Sequence, residues 1–298
     1  MSPAPRHQRF EFAFREWVAS NGYGLEDVAY ERSTGGRAEA MLLGAKRNVS
    51  AVAVVAHATG NDKYFPLLDV YQRLLGLGFA VFAFDLDGHG RGSTHRLSVE
   101  TATSMLPEAM AEARRLVPGR PLHLVGQSFG ALLVMHQLAM TAKDAGVRSC
   151  ILLSPPVSGQ IVGRPLWLEG RSVLTRTWLR ARRTYGFFGR VPAVGPFKRA
   201  LYPLRLGGGY QNWNVMSYAG LIDRLVEIWK PDAQFDPNRV PTLLIYGQRD
   251  ALTPPDQAEL LAQRFKSPSE FHVLKGETHF TTPMSDACLR LIDRWMAK

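Results

Sequence analysis

The sequence predicts an α/β protein whose mostly parallel central sheet is flanked by helices and carries one long insertion. Over most of the 298 residues, short apolar runs alternate with stretches of helical periodicity. One apolar run leads through residues 126–130 directly into a helical pattern, and the alternation is interrupted between residues 157 and 235. In sheets of this class ligands bind at the carboxyl ends of the strands, so we expect the functional site there.

The first half of the chain predicts a helix, a hairpin and then alternating strands and helices. Residues 9–19 are aromatic and charged, and predict a short helix on the protein body that ends near Asn21-Gly22. Residues 28–43 alternate around Thr34-Gly35-Gly36, as in a β-hairpin. Buried strands are expected at 51–56, 79–85, 122–127 and 150–153, and helices at 64–77, 98–116 and from the glycine-rich turn to about Lys143.

The interruption predicts a separate cap. Residues 157–235 are aromatic, basic and glycine-rich, with one clear helical stretch at 221–229. After Pro241 the rhythm resumes with strands at 242–246 and 270–274 and helices at 255–265 and 286–296. The predicted organisation is an N-terminal extension (1–27), a core (28–156 and 236–298) and an inserted cap domain (157–235) above the strand ends.

Composition limits the class of protein. A hydrophobic content of 46% over 298 residues is enough for a sizeable core. Cys150 and Cys288 are far apart and predict separate thiols, one in a strand and one in a late helix. No stretch is long and apolar enough for a membrane span, and the first residues lack the apolar region of a secretory signal. We therefore expect a cytoplasmic protein.

The positive charge is concentrated in the predicted cap. The net charge is +10, and the segment from Arg164 to Arg205 holds ten Lys or Arg against Glu169 alone, a net +9. One interpretation is that this segment is a solvated surface. The other is that it attracts an anionic substrate, or brings the protein into peripheral contact with an anionic membrane surface. Nucleic acid is disfavoured because no helix-turn-helix, zinc-ligand or RNP-like pattern accompanies the charge.

The segment Gly126-Gln127-Ser128-Phe129-Gly130 predicts a nucleophile elbow. A strand, Gly-x-Ser-x-Gly and a helix are the context in which a serine sits on a strained turn with its Oγ exposed at a helix N-terminus. The two glycines let the strand and helix approach without a Cβ clash. Ser128 is therefore the candidate nucleophile.

A serine hydroxyl needs a base to take its proton and an acid to hold that base. In sites built on such an elbow, the acid and then the histidine follow the serine in the chain, each after a strand. Asp250 and His279 come directly after the strands at 242–246 and 270–274. Asp256, in a helix start, and Asp223, in the cap helix, are weaker candidates for the acid.

Acyl transfer also needs N–H donors for the oxyanion. The expected donors are the backbone amide of Phe129 and a second amide from the loop after residues 51–56, with Thr59 preferred and Ala58 second. In that loop His57 is a candidate substrate contact, and packing that holds the turn is preferred to any role of His57 in proton transfer.

Five motifs together resemble the α/β-hydrolase fold, and within it the branch of monoacylglycerol lipases, lysophospholipases and serine aminopeptidase-type (S33-like) hydrolases. They are His57-Ala-Thr-Gly, Phe84-Asp-Leu-Asp-Gly-His-Gly-Arg-Gly-Ser93, Gly126-Gln-Ser-Phe-Gly, Gly247-Gln-Arg-Asp250-Ala-Leu-Thr-Pro254 and Gly276-Glu-Thr-His279. Two positions depart from the family pattern. Ala58 replaces the usual glycine and Gln127 the usual histidine before the nucleophile, which affects the shape of the acyl pocket.

The predicted function is cleavage of carboxylic esters such as acylglycerols or lysophospholipids through an acyl-enzyme, with no metal or organic cofactor. The alternatives are a thioesterase for acyl-CoA or an acyl carrier protein, and an acyltransferase on the same fold. The partner is a small acyl ester or thioester, with an anionic one favoured by the basic cap; no oligomeric state is predicted. Candidate substrate-binding residues are His57, Gln127, Trp167, Trp178 and Trp213.

Overall fold

A computed structural model provides the structure of this protein. It describes residues 6–45, 48–59, 61–64, 67–90, 97–140, 146–157, 215–226, 240–253, 255–263, 265 and 269–298. Most of the predicted cap, including Trp167, Trp178, Trp213 and the basic segment, lies outside these residues.

Eight strands and seven helices make up the described fold. The strands are β1 Leu25–Glu31, β2 Arg37–Leu43, β3 Ala51–Ala56, β4 Phe79–Phe84, β5 Leu122–Gln127, β6 Val147–Leu153, β7 Thr242–Gly247 and β8 Ser269–Leu274. The helices are α1 Arg6–Ser20, α2 Leu68–Gly76, α3 Val99–Leu116, α4 Phe129–Met140, α5 Val215–Val226, α6 Pro255–Ala262 and α7 Asp286–Met296. A 3₁₀ turn, Thr282–Met284, precedes α7.

All eight strands form one sheet in the order β1-β2-β4-β3-β5-β6-β7-β8. The hairpin β1–β2 is antiparallel, and β2 joins β4 antiparallel. The other pairs are parallel, with Ala56 opposite Gly126 and Leu153 opposite both Gln127 and Ile245. The predicted mostly parallel sheet is confirmed, and the carboxyl ends of β3, β5, β6, β7 and β8 meet at one edge.

Helices cover both faces of the sheet. The apolar residues of α3, α4, α5 and α6 pack on one face, and those of α1, α2 and α7 on the other. Strands β3, β4, β5 and β7 are buried throughout, because both of their faces are covered. This explains why the sequence shows them as apolar runs and not as alternating patterns.

Two predicted helices begin elsewhere than their periodicity indicated. The helix predicted from Tyr64 begins at Leu68, and before it the Lys63 and Tyr64 amides donate to the carboxylates of Asp85 and Asp62. The helix predicted at 221–229 begins at Val215. Helix α3 begins as predicted at the Ser98 cap, where the Ser98 side chain and Thr101 form a reciprocal capping box.

The two cysteines are separate buried thiols, Cys150 on β6 and Cys288 on α7, as predicted. Among the described helices, none combines the length and apolar character that crossing a bilayer requires.

Candidate active site

Ser128 occupies a strained turn between β5 and α4. Its φ is +52°, in the left-handed region that residues with a side chain rarely adopt. A Cβ on Gly126 would lie 2.4 Å from Ala131 Cα, and one on Gly130 would lie 2.1 Å from Ala56 O. Both glycines are therefore required for the close approach, and the predicted geometry of the turn is confirmed.

The turn is held by backbone hydrogen bonds and leads directly into the N-terminus of α4. The Ser128 amide donates to Leu153 O at 2.8 Å, and Ser128 O accepts from the Leu132 amide at 3.0 Å. Phe129 is the first residue of α4 and its ring is fully buried. Ser128 itself is half-buried and directly precedes α4, at the positive end of the helix dipole.

Asp250 and His279 are in direct contact. His279 Nδ1 lies 2.9 Å from Asp250 Oδ2 and 3.1 Å from Oδ1, and both side chains are almost completely buried. Thr253 adds two bonds to the same carboxylate, from its amide to Oδ1 and from its hydroxyl to Oδ2, each at 2.7 Å. The Leu252 amide also donates to Oδ1, at 3.1 Å.

These donors keep Asp250 ionised despite its burial. Burial alone would raise the pKa of this carboxyl, but the nearby imidazole and the hydrogen bonds from His279 and Thr253 lower the pKa below its usual value. An ionised carboxylate can only accept, so Nδ1 of His279 carries the proton. In the neutral ring, Nε2 is then left with its lone pair, as a general base requires.

The loops that carry these residues are tied together at one edge of the sheet. The Ser154 amide donates to Ile245 O at 2.9 Å, the Arg249 amide to Glu277 O at 2.8 Å, and the Gln248 amide to Leu274 O at 2.9 Å. Together with the bond between Ser128 and Leu153, they continue the strand pairing past the strand ends. The serine turn follows β5, and the loops of Asp250 and His279 follow β7 and β8, so all three lie at the carboxyl edge of the sheet.

The loop after β3 packs directly against the serine turn. The contact of Gly130 with Ala56 and His57 backbone atoms places this loop beside the first turn of α4. Ala58 is buried and Thr59 half-buried. Thr59 Oγ1 is a buried hydroxyl without a hydrogen-bond partner in the described part of the chain.

His57 and Gln127 are both enclosed by the protein. His57 is 1% exposed, and its two ring nitrogens bond the backbone at Ala58 O and the Leu86 amide. This environment favours the interpretation that His57 holds the turn. Gln127 is 0% exposed, and neither polar atom of its carboxamide has a partner in the part of the chain described here.

Two buried ion pairs and one threonine were not anticipated from the sequence. Lys63 Nζ pairs with Asp85 at 2.5 Å, and Arg32 with Asp87 at 2.6 Å. Both pairs hold the loop after β4, and their partners are 22 and 55 residues apart, too far for a local pattern. The turn that carries Thr253 has a local signal, because an aspartate side chain commonly accepts from the backbone amide two residues on, as Asp250 does from Leu252.

The structure also describes one of the weaker acid candidates and a separate cavity. Asp223 is exposed on α5, and the side chain of Asp256 lies outside the described ones. A cavity of about 750 Å³ opens between α1, α2 and α7. Its lining includes Trp17, Asp69 and Asp293 and none of the predicted site residues.

Comparison with known proteins agrees with the fold described above. Similar solved structures include DcsB in complex with its substrate analogue (TM-score 0.64, 15% identity, covering 92% of this chain and 97% of that one). Others are the Pyrococcus furiosus esterase Pf2001 (TM-score 0.60, 16% identity, 94% of each chain) and a lipase in an open form (TM-score 0.63, 16% identity, 92% and 98%). At such identities the likeness shows the fold alone. A comparison with curated protein sequences finds no match.

The sequence matches a known family model. Residues 53–294 match the model of the alpha/beta hydrolase family, a span that includes all the loops described above. The chain belongs to the alpha/beta hydrolase family.

Proposed function

We propose that this protein is a serine hydrolase that cleaves carboxylic esters through an acyl-enzyme intermediate. The observation that carries the proposal is the buried Asp250–His279 pair, which lies at the same sheet edge as a serine held at φ +52° on a helix N-terminus. Membership of the alpha/beta hydrolase family and the esterase and lipase among the structural neighbours support it. The narrower resemblance to monoacylglycerol lipases and lysophospholipases stays a prediction.

Each group has one role in the proposed reaction. Ser128 Oγ attacks the ester carbonyl while His279 Nε2 takes its proton, and the imidazolium then protonates the departing alkoxide oxygen. Water, deprotonated by the same nitrogen, attacks the acyl-serine and releases the acid. Asp250 keeps the Nδ1 proton in place and stabilises the imidazolium. The amides of Phe129 and Thr59, with Ala58 second, are the proposed donors to the oxyanion.

Residues 157–235 are the proposed cap, with Trp167, Trp178 and Trp213 as proposed lining of an acyl pocket. The described part of this segment, helix α5, supports a position of the cap near the proposed nucleophile. Helix α5 buries Leu221, Ile222 and Leu225 in the same apolar cluster as α4, the helix that begins after Ser128. The segment therefore packs against the helix that follows the proposed nucleophile.

The test is labelling with a fluorophosphonate together with hydrolysis of p-nitrophenyl esters from acetate to palmitate. We expect one phosphonyl group per chain, and a rate that peaks at one chain length and so sizes the acyl pocket. Ser128→Ala should abolish both. Ser154→Ala is the matched control, because Ser154 also has a positive φ, +49°, at the end of the neighbouring strand. Labelling that survives in Ser128→Ala would contradict the proposal.

An acyl thioester is a second candidate substrate, favoured by the net +9 charge between Arg164 and Arg205. Acyl-CoA is polyanionic, so attraction by this segment would weaken as salt screens it. We expect KM for acyl-CoA to rise between 50 and 500 mM NaCl while KM for a neutral ester stays level. The free acid as sole product, even with added alcohols, would separate hydrolysis from the third possibility, acyl transfer.

A further inference from the structure

We propose that His57 is a positioning residue which, as the neutral Nδ1–H tautomer, fixes the peptide group between Ala58 and Thr59 and so aims the Thr59 amide. This inference rests on the proposed function, because it concerns the second donor of the proposed oxyanion hole. The proposed role is to orient a donor, and no proton is transferred by His57.

The two partners of the ring assign its protonation. His57 Nδ1 lies 2.7 Å from Ala58 O, and a carbonyl oxygen can only accept, so Nδ1 carries a proton. His57 Nε2 lies 3.0 Å from the Leu86 amide nitrogen, and a backbone N–H can only donate, so Nε2 carries none. Only the neutral Nδ1–H tautomer satisfies both contacts.

The Ala58 carbonyl is held from two directions. It accepts from His57 Nδ1 and also from the Asn61 amide at 3.2 Å. Because a trans peptide is planar, with its N–H opposite to its C=O, fixing this oxygen fixes the direction of the Thr59 N–H. That N–H points away from the bonds that hold the carbonyl. The packing of Gly130 against His57 O keeps the whole loop beside the serine turn.

The surroundings of the ring keep it neutral. Burial lowers the pKa of His57 to about 4, although Asp85, at 3.9 Å, opposes this. Asp85 is itself paired with Lys63, whose positive charge also disfavours a second cation. On the other side the His89 ring stands edge-on at 5.6 Å, and burial lowers the pKa of His89 to about 3. The acceptor for the Leu86 amide is therefore retained at neutral pH.

Two amide substitutions, each of which replaces one ring nitrogen, separate the two contacts of the ring. In His57→Asn the amide nitrogen takes the place of Nδ1 and keeps the donor to Ala58 O. In His57→Gln the longer side chain reaches the Leu86 amide and gives up that donor. We expect His57→Asn to keep kcat within about fivefold of the wild type. We expect His57→Gln to lose about 100-fold in kcat with KM little changed, as when an oxyanion donor is misplaced.

His123→Gln is the matched control, because His123 is also a buried histidine but lies on β5 against Phe79 and Ser149. Its kcat should equal that of the wild type. Equal losses in His57→Asn and His57→Gln, a larger loss in His57→Asn, or no loss in either would overturn the proposal. Absence of fluorophosphonate labelling in the wild type would instead overturn the proposed function.

Nuclear magnetic resonance tests the same idea without turnover. In protein labelled with ¹⁵N-histidine, the ring signals that disappear in His57→Asn should belong to a neutral Nδ1–H tautomer. The amide signals of Thr59 and Asn61 should shift strongly in His57→Gln and little in His57→Asn. An Nε2–H tautomer or a cationic ring at His57, or unshifted amides in His57→Gln, would overturn the proposal whether or not the enzyme turns over.

Discussion

Among single residues, Thr253 stabilises the ionised carboxylate of Asp250. The threonine hydroxyl donates to the carboxylate at 2.7 Å and also lies 3.3 Å from His279 Nδ1, so it borders the contact between acid and histidine. A hydrogen bond to a charged group contributes about 1.5–3 kcal/mol. The sequence did not single out Thr253, although its spacing from Asp250 is local.

Thr253→Val should lower kcat about tenfold, which corresponds to about 1.4 kcal/mol in the barrier. Removing this donor stabilises the ionised carboxylate less, so the pKa of Asp250 should rise from its lowered value. A pH–rate profile of kcat with a p-nitrophenyl ester measures the loss. Thr253→Ser keeps the hydroxyl and should resemble the wild type. An unchanged profile in Thr253→Val would show that the hydroxyl bond is dispensable.

Ser154 is the other described residue, apart from glycine, with a positive φ, and it is fully buried. Its hydroxyl has no partner within the described residues. Since a buried polar group without a partner costs about 1–3 kcal/mol, Ser154→Ala should raise the free energy of unfolding by about 1 kcal/mol in urea denaturation. Ser149→Ala is the contrast. It removes the hydroxyl that lies 2.8 Å from His123 Nδ1 and should lower the free energy of unfolding by a similar amount. A loss of stability in Ser154→Ala would contradict the expectation.

Among secondary-structure elements, the close packing of β3, β5 and α4 requires glycine where they meet. A Cβ on Gly130 would meet three backbone atoms of Ala56 and His57 within 2.7 Å, and backbone cannot move aside as a flexible side chain can. The sequence predicted this junction correctly, because a Gly-x-Ser-x-Gly turn between a strand and a helix is a purely local pattern.

Gly130→Ala should therefore destabilise the protein by about 2–3 kcal/mol, the range expected for overpacking. It should also slow fluorophosphonate labelling, since α4 must shift relative to the serine turn. Gly76→Ala is the control within another helix, where a Cβ would meet nothing within 4 Å. There alanine should stabilise by about 0.5–1 kcal/mol. Thermal unfolding and labelling rates of the two variants provide the comparison, and equal melting temperatures would argue against a rigid junction.

Element boundaries show where local signals compete with distant contacts. Apolar runs predicted the strand positions accurately, because a strand covered on both faces is apolar along its whole length. The predicted start of α2 was four residues early. There the chain is held by Asp85 across 22 residues, and periodicity carries no sign of such a contact.

Buried neutral histidines should control the stability of the whole molecule in mild acid. Burial lowers the pKa of His57 and His123 to about 4 and that of His89 to about 3. In the unfolded chain these rings titrate near pH 6.5. Between about pH 6.5 and 4 the unfolded state therefore binds more protons than the folded state. Stability is complete above that window and falls with pH inside it.

Urea denaturation at pH 7.5, 6 and 5 should show a free energy of unfolding that falls by up to about 1.4 kcal/mol per pH unit for each such histidine. His123→Gln should make this slope shallower by removing one of the three rings. Carboxylates such as Asp85, whose pKa is lowered because its contacts with Lys63 outweigh its burial, act only at lower pH. A stability that is level or rising from pH 6.5 to 5 would contradict the argument.

Local pattern was sufficient for the order of elements, the parallel sheet, the serine turn and the chain positions of the candidate acid and base. Each of these depends on periodicity or on residues within a few positions of one another. Contacts across the fold depended on tertiary packing. They include the 2.9 Å bond between His279 and Asp250, 29 residues apart, the pairing of Arg32 with Asp87, and the His57 contact with the Leu86 amide. Such contacts exist only once parallel strands bring their carboxyl ends to one edge, and the balance there between burial and nearby partners determines which groups are charged.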